Sequence, residues 1–369
     1  MTRKSGTTRF AKRTAAGIFL GLMMAATAPA SLTPLYSNTG GAVSQVSVFQ
    51  IQPLEVVTAV RNGSGDLEVG VWQDTGSSIV QVSSATAGAI KLVEITSVST
   101  NQLVTVAANS KSNLELTLWQ VDSSGKISQQ YSTTYTLTVT RISVTGLALG
   151  VFATGTRDSS GNLDVKVWKA GASSFTLLAG TSAGAISEVS VASRFYTSYV
   201  GSQFVTVTRN SGGNLAVINW IVGSSTLTQG GQATLGAIKH QSSVAIGTLG
   251  SNTVYGTVVI NGKGDLEFIE WSVLGSTVTE LGSGTAGAGN GVAICQGFPN
   301  TITAMRNGSG NLSVEQWDVK TTPFTLAGRD NTTTAISAVA VTPDAFIGSM
   351  VTAVRNSAGS LELTVWQEK

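Results

Sequence analysis

An all-β fold built from seven copies of one repeat is what the sequence predicts, and three observations predict it. Seven tryptophans recur at intervals of 46 to 52 residues, and the residues before each one alternate between apolar and polar with a period of two. The repeat is also split between the two ends of the chain. Together these patterns predict a seven-bladed β-propeller of four-stranded antiparallel blades.

A hairpin precedes each tryptophan. In the last copy, residues 351–355 and 361–366 alternate as strands do, and the residues between them, Asn356 to Ser360, include Asn and Gly. Asn and Gly tolerate the positive φ of a tight turn. A small-residue segment such as 185–191 precedes the hairpin, and a short segment such as 174–178 follows the tryptophan. Each copy therefore supplies four strands.

The ends of the chain predict that the ring is closed. The last copy stops at residues 366–369, directly after its third strand. Residues 31–44 resemble residues 174–187, which run from a fourth strand into the next first strand. We therefore expect the N-terminal strand of the mature chain to complete the last blade, which would remove the exposed edges of the sheet.

The first thirty residues have the layout of a signal peptide. A basic segment is followed by the apolar residues 15–26 and by Ala28-Pro29-Ala30. An uncleaved membrane anchor is the alternative, but the apolar run is shorter than the roughly 20 residues that a spanning helix needs. We expect cleavage after Ala30, a single propeller domain over residues 31–369, no transmembrane segment after cleavage, and a secreted or periplasmic location.

Charge and composition narrow the function. Five of the 22 Lys and Arg residues and none of the 20 Asp and Glu residues lie in residues 1–30, so the remainder carries 17 against 20, a net charge of about −3. This balance argues against a nucleic-acid partner. The chain has one Cys, Cys295, and one His, His240, so the usual zinc sets are excluded. We expect no cofactor, no metal site and no catalytic residues.

The order of strands within one copy is similar to that in known propellers. A first strand opens at Ala185, a second ends at Arg209-Asn210, and Gly213-Asn214-Leu215 leads into a third that ends at Trp220. This layout resembles WD-repeat proteins and bacterial and fungal propeller lectins, including secreted seven-bladed lectins. The resemblance covers the architecture of residues 31–369 and implies a binding module.

The tryptophans are the first candidate site. Exposed indole rings could stack on sugars, but one aromatic kept at the same strand position in every copy is typical of packing between blades. We therefore assign to the repeat core the seven tryptophans Trp72, Trp119, Trp168, Trp220, Trp271, Trp317 and Trp366.

Five arginines are the second candidate. They occupy one position just before the hairpin turn, where the other two copies have Ala108 and Ile260; they are Arg61, Arg157, Arg209, Arg306 and Arg355. One interpretation is a partial ring of cations that binds acidic or hydroxyl-rich ligands. The other is a rim of weak ion pairs with the acidic residues seven positions further on.

Three aromatic residues in the longest loop, Phe195, Tyr196 and Tyr199, are the third candidate. They either form an exposed contact surface or fold back over the blade edge. Taken together, the sequence predicts a secreted, non-enzymatic binding module, with glycans or cell-surface material as the ligand. A protein-interaction or structural scaffold is the alternative, and a propeller enzyme is the third interpretation.

Overall fold

The computed structural model describes residues 32–249, 252–296, 301–319, 323–343 and 349–368. The predicted leader, residues 1–30, lies outside them. All regular elements within these ranges are β-strands, 21 in number, joined by antiparallel pairing into one closed sheet. The prediction of an all-β fold is confirmed.

Seven strands are long, with 19 to 23 residues each: β1 Leu32–Gln52, β4 Ile79–Ser99, β7 Ile127–Ala148, β10 Phe175–Ser193, β13 Leu227–Leu249, β16 Thr277–Gln296 and β19 Thr325–Pro343. Each long strand is followed by a short one: β2 Glu55–Asn62, β5 Gln102–Asn109, β8 Val151–Asp158, β11 Gln203–Asn210, β14 Asn252–Asn261, β17 Thr301–Asn307 and β20 Ser349–Asn356. A second short strand ends one to three residues after the tryptophan: β3 Asp66–Asp74, β6 Asn113–Val121, β9 Asn162–Ala170, β12 Asn214–Val222, β15 Asp265–Leu274, β18 Asn311–Asp318 and β21 Ser360–Glu368.

The long strands differ from the sequence-based expectation of two separate strands. The first half of β10 pairs with β9 up to Ala185, and its second half pairs with β11 from Ile186 onwards. A register shift lies between Ala183 and Ala185, where Gly184 is also small enough for the backbone to change direction. One continuous strand is therefore both the fourth strand of one repeat and the first strand of the next.

The ends of the described chain meet in the sheet. β1 pairs with β21 over residues 32–42, from Leu32 opposite Glu368 to Ala42 opposite Ser360. The Leu32 side chain is buried beside Met350 and Trp366. The prediction that the N-terminal segment closes the sheet is confirmed.

The hairpin turn between the two short strands is held by an asparagine. Asn62 Oδ1 accepts hydrogen bonds from the backbone N–H groups of Ser64 and Asp66, both at 3.0 Å. Gly65 has a φ of 90°, which a residue with a Cβ rarely adopts. In the second copy Ser112 takes this conformation, with a φ of 65°.

All seven tryptophans are buried, at 2% exposure or less. Trp72 packs against Val351 and Leu363 of the last repeat, and Trp119 packs against Val57 and Val69 of the first. In six repeats the indole Nε1 donates a hydrogen bond of 2.8 to 3.0 Å to a threonine Oγ1 fourteen residues earlier, as in Trp119 to Thr105. The indole rings thus join neighbouring repeats and leave no open face for a sugar. We number the repeats from first to seventh by these tryptophans.

Candidate functional site

The predicted arginines hold neighbouring repeats together. Arg61 Nε donates to the carbonyl of Ile90 in the second repeat at 2.7 Å, and Arg61 Nη1 donates to Ser44 Oγ at 2.9 Å. Arg157 and Arg209 make equivalent contacts, in which Nε donates to a carbonyl of the next repeat and Nη1 donates to a hydroxyl. Arg355 Nε donates to the Val43 carbonyl at 2.6 Å and so joins the last repeat to the first. These contacts explain why the same residue type recurs before the turn.

Arg306 departs from this pattern, because its Nε is buried and has no hydrogen-bond partner among the described residues. Within the described ranges, none of the five arginines has a carboxylate partner. Glu68 instead accepts a hydrogen bond from Asn62 Nδ2 at 3.4 Å. The guanidinium charges are therefore not neutralised by ion pairing, and their role in ligand binding stays a prediction.

The loop that contains Phe195, Tyr196 and Tyr199, which we call the aromatic loop, has both exposed and packed aromatic residues. Phe195 is 52% exposed, whereas Tyr199 packs on the core of the third and fourth repeats. Tyr196 is half-buried and its backbone N–H donates to the Leu147 carbonyl at 2.7 Å. The neighbouring Leu149 is 73% exposed. Phe195 alone of the three predicted aromatics forms part of an exposed surface.

A cleft of about 540 Å³ lies between the fourth and fifth repeats. Its floor is aliphatic and consists of Leu215, Leu235, Ile238, Val259 and Ile269. Its rim carries Lys263, Glu267, Glu280 and Thr285. This volume and this lining of apolar floor with a few polar groups are those of small-molecule sites. We call this space the open cleft.

The same place between the seventh and first repeats holds a space of only about 20 Å³, which we call the closed cleft. Glu68 and Gly70 line it. They lie four and two residues before Trp72, and Glu267 and Ile269 lie at the same distances before Trp271. Leu361 and the Trp72 ring also line it, and a Cβ added at Gly40 would lie 3.4 Å from both. Glu267 and Glu68 accept similar hydrogen bonds from Asn261 and Asn62, of 3.3 and 3.4 Å. The two clefts therefore form a matched pair.

A second cavity is lined by the second halves of the long strands, which pair with the following short strand and which we call the inner halves. It has a volume of about 510 Å³, and we call it the axial opening. One register position of the inner halves contributes a different side chain from each of five repeats: Gln45, Leu92, Arg141, Glu188 and Ala338. Beyond it a channel of about 270 Å³ is lined by residues from all seven long strands, including Ser47, Ser143, Ser190 and Ser242.

The polar groups of the axial opening have distinct partners. Arg141 is exposed, and its one hydrogen bond to a described residue runs from its Nη1 to the carbonyl of Thr140, at 2.8 Å. Glu188 Oε1 lies 3.1 Å from His240 Nδ1, and this contact is the main cause of a raised pKa of His240. Burial raises the pKa of Glu94 to about 7, although Ser47 Oγ donates to its carboxylate at 2.8 Å.

Sequence reasoning missed the axial opening because its residues come from separate repeats about fifty positions apart. The signal was nevertheless present. Gln45, Arg141, Glu188 and His240 differ in charge at one register, while the residues two positions before them are Val43, Val139, Ile186 and Ile238. A register that varies in charge within an otherwise repeated strand indicates an asymmetric polar site.

No group of His, Cys, Asp and Glu side chains in the described ranges is placed to hold a metal ion. The described part of the chain likewise contains no helix with the length and hydropathy needed to cross a membrane.

The sequence matches no protein-family model and no curated protein sequence. Solved structures do resemble it. Saccharomyces cerevisiae Sqt1 has a TM-score of 0.55 at 12% identity over 92% of this chain and 99% of that one. The WD40 domain of Toxoplasma gondii coronin has a TM-score of 0.56 at 11% identity over 92% and 87%.

SapL1 lectin, in complex with alpha methyl fucoside, has a TM-score of 0.53 at 12% identity over 77% of this chain and 96% of the lectin chain. At such identities only the fold is shared. The chain thus has an all-β, closed, propeller-like fold, similar to WD40 proteins and to a propeller lectin.

Proposed function

We propose that this chain is a secreted seven-bladed propeller that acts as a non-enzymatic binding module for glycans or cell-surface polymers. Seven long strands, each shared by two groups of four, support the blade count. The basic-apolar-small order of residues 1–30 supports export. N-terminal sequencing of the protein recovered from the medium or periplasm tests this part, and a chain that still begins at Met1 contradicts it.

The open cleft is the observation that carries the binding function. Leu235, the half-buried aliphatic residue of its floor, can pack against the C–H face of a sugar ring, and the carboxylates of Glu267 and Glu280 can accept hydrogen bonds from hydroxyl groups. Glu267 is already positioned by Asn261 Nδ2 at 3.3 Å, so little conformational freedom is lost on binding. SapL1 lectin shows that a fold of this kind can bind a saccharide.

A glycan array followed by calorimetry tests this proposal. We expect at least one neutral saccharide to bind, and Glu267→Gln to weaken it about tenfold, because a hydrogen bond to a charged group contributes more than one to a neutral group. Glu68→Gln is the matched control, since it makes the same change in the closed cleft and should leave the affinity unchanged. A blank array at millimolar ligand, or equal effects of both variants, would refute a glycan site in the open cleft.

Protein interaction is a second candidate function, and the exposed apolar residues around the aromatic loop favour it. Phe195 and Val200 are 52% and 49% exposed, and Leu149 lies beside this loop because Ala148 pairs with Tyr196. Such a surface is typical of a protein contact. A photocrosslinking amino acid at position 195 should then capture one defined protein. The same group at Leu274, 49% exposed elsewhere, is the control, and equal adducts at both positions would contradict this function.

A further inference from the structure

The axial opening is a cavity with charges of both signs that the glycan proposal does not use. It is large enough for a small molecule and receives polar side chains from several repeats. Its asymmetry is informative, because a purely structural position would hold the same residue type in each repeat, as the tryptophan and turn positions do.

Positive charge surrounds this opening. Arg61 Nη1 and Arg355 Nη1 donate to Ser44 and Ser337, at 2.9 and 2.8 Å, and both serines line the cavity. Arg157 and Arg209 make the equivalent contacts with Thr140 and Ser187 at the same register. Since these guanidinium groups have no carboxylate partners in the described ranges, their summed potential attracts anions to the opening.

Arg141 is the group best placed to bind an anion there. Its side chain is exposed at the cavity wall, and one contact to the Thr140 carbonyl leaves most of its five N–H donors available. A guanidinium group binds carboxylate and phosphate groups with paired hydrogen bonds. The other cavity walls carry Glu94, Glu188 and Gln45, whose side-chain oxygens can accept hydrogen bonds from hydroxyl groups.

We infer that the axial opening binds a small hydroxylated anion, a sugar acid or a sugar phosphate, with Arg141 holding the anionic group and the side-chain oxygens of Glu94 and Glu188 accepting from its hydroxyls. This site lies apart from the open cleft, and it requires a charge on the ligand where the cleft requires none.

The charge of the opening changes with pH. The charged groups that face it or its nearest residues are Arg61, Glu94, Arg141, Arg157, Glu188, Arg209, His240 and Arg355. As pH rises, His240 loses a proton and Glu94, with a pKa of about 7, gains negative charge. Affinity for an anion should therefore fall between about pH 6 and about pH 8, and added salt should weaken it further.

Calorimetry of the full chain with D-glucuronate, D-glucose 6-phosphate and D-glucose tests the inference. We expect one or both anions to bind at millimolar concentration or below, glucose to show no binding at this site, and Arg141→Gln to weaken the anion about tenfold or more. Arg194→Gln, an exposed arginine in the aromatic loop, is the matched control and should have no effect. Binding of glucuronate alone assigns a sugar acid, and binding of the phosphate alone assigns a sugar phosphate.

Two variants separate this site from the open cleft. Glu267→Gln should leave anion binding unchanged, and Arg141→Gln should leave neutral saccharide binding unchanged. Absence of heat with both anions, or an anion affinity that is the same in wild type and Arg141→Gln, would overturn the inference. Because Arg141 is exposed, the variant should keep the wild-type melting temperature, and Arg141→Lys, which retains the charge, should recover part of the affinity.

Discussion

The fifth repeat differs from the other six in the contact that joins tryptophan to threonine. In six repeats the indole Nε1 has a threonine acceptor, but in the fifth neither Trp271 Nε1 nor Thr257 Oγ1 has a hydrogen-bond partner in the described ranges. The fifth repeat also buries Glu270 where four others have Val or Leu. The open cleft lies against this same repeat. The comparison shows that the candidate site lies against the repeat whose tryptophan and threonine lack the hydrogen bond made in the other six, as expected where function competes with stability.

Opening the ring should have the largest effect on the free energy of unfolding, and it should affect all repeats alike. Deleting residues 32–37 takes away five of the eight Cα partner pairs between β1 and β21 and exposes both sheet edges. We expect a loss of more than about 4 kcal/mol in the free energy of unfolding, with aggregation on heating. Calorimetry and light scattering measure it.

Replacing exposed Ser37 and Thr39 by Ala keeps the backbone pairs and serves as the control. A normal melting curve for the deletion variant would show that this strand does not close the ring.

A pair of threonine variants tests the comparison directly. Thr105→Val leaves the buried Trp119 Nε1 without an acceptor and should lower the free energy of unfolding by about 2 kcal/mol. Thr257→Val removes a hydroxyl that has no partner in the described structure, so it should be neutral or slightly stabilising. Urea titration measures both. Equal losses would mean that the fifth repeat forms the same bond as the others.

The smallest effect concerns the pH dependence of the fifth repeat. Burial raises the pKa of Glu270 from 4.5 to about 7, so the folded protein binds more protons than the unfolded chain between these values. The free energy of unfolding therefore falls as pH rises through this window. Glu270→Gln should remove that part of the slope and make the protein about 1 kcal/mol more stable than wild type at about pH 8, because partial solvent screening reduces the effect of the full shift, with little difference below pH 4.5.

Urea titration at several pH values checks the Glu270 prediction. Glu267→Gln is the control, because it replaces a carboxylate on the same strand that lies at the cleft rim. A slope that is the same in wild type and Glu270→Gln would refute the prediction.

Much of the fold could be predicted because local patterns and the global fold agree. The period-two strands follow from the residues just before Trp366, and the turns follow from Asn62 and the glycines after it. The split repeat follows from comparing the two ends of the sequence. The continuity of strands such as β10 could not, because Ala183-Gly184-Ala185 also suits a turn, and only the pairing on both sides makes it extended.

The sites were harder to predict, since they depend on distances across repeats. The recurrence of Arg61 and its equivalents fitted a ring of ligand-binding cations, and the structure shows that their Nε atoms bind the carbonyl of the next repeat. Glu267 and Glu68 look alike in the sequence, but Glu267 borders a cleft of about 540 Å³ and Glu68 a space of only about 20 Å³. Such a difference arises from packing and has no local signal.

The pairing of β1 with β21 also has a consequence for synthesis. Leu32 leaves the ribosome 336 residues before its partner Glu368. Contacts of such long sequence separation form slowly, because the chain loses the entropy of closing a long loop before the contacts stabilise it. During that delay the first half of β1 has an unpaired backbone edge, and another copy of the chain could pair with it. Export in an unfolded state would postpone this risk until the whole polypeptide has been delivered, when the first strand and its distant partner are present together.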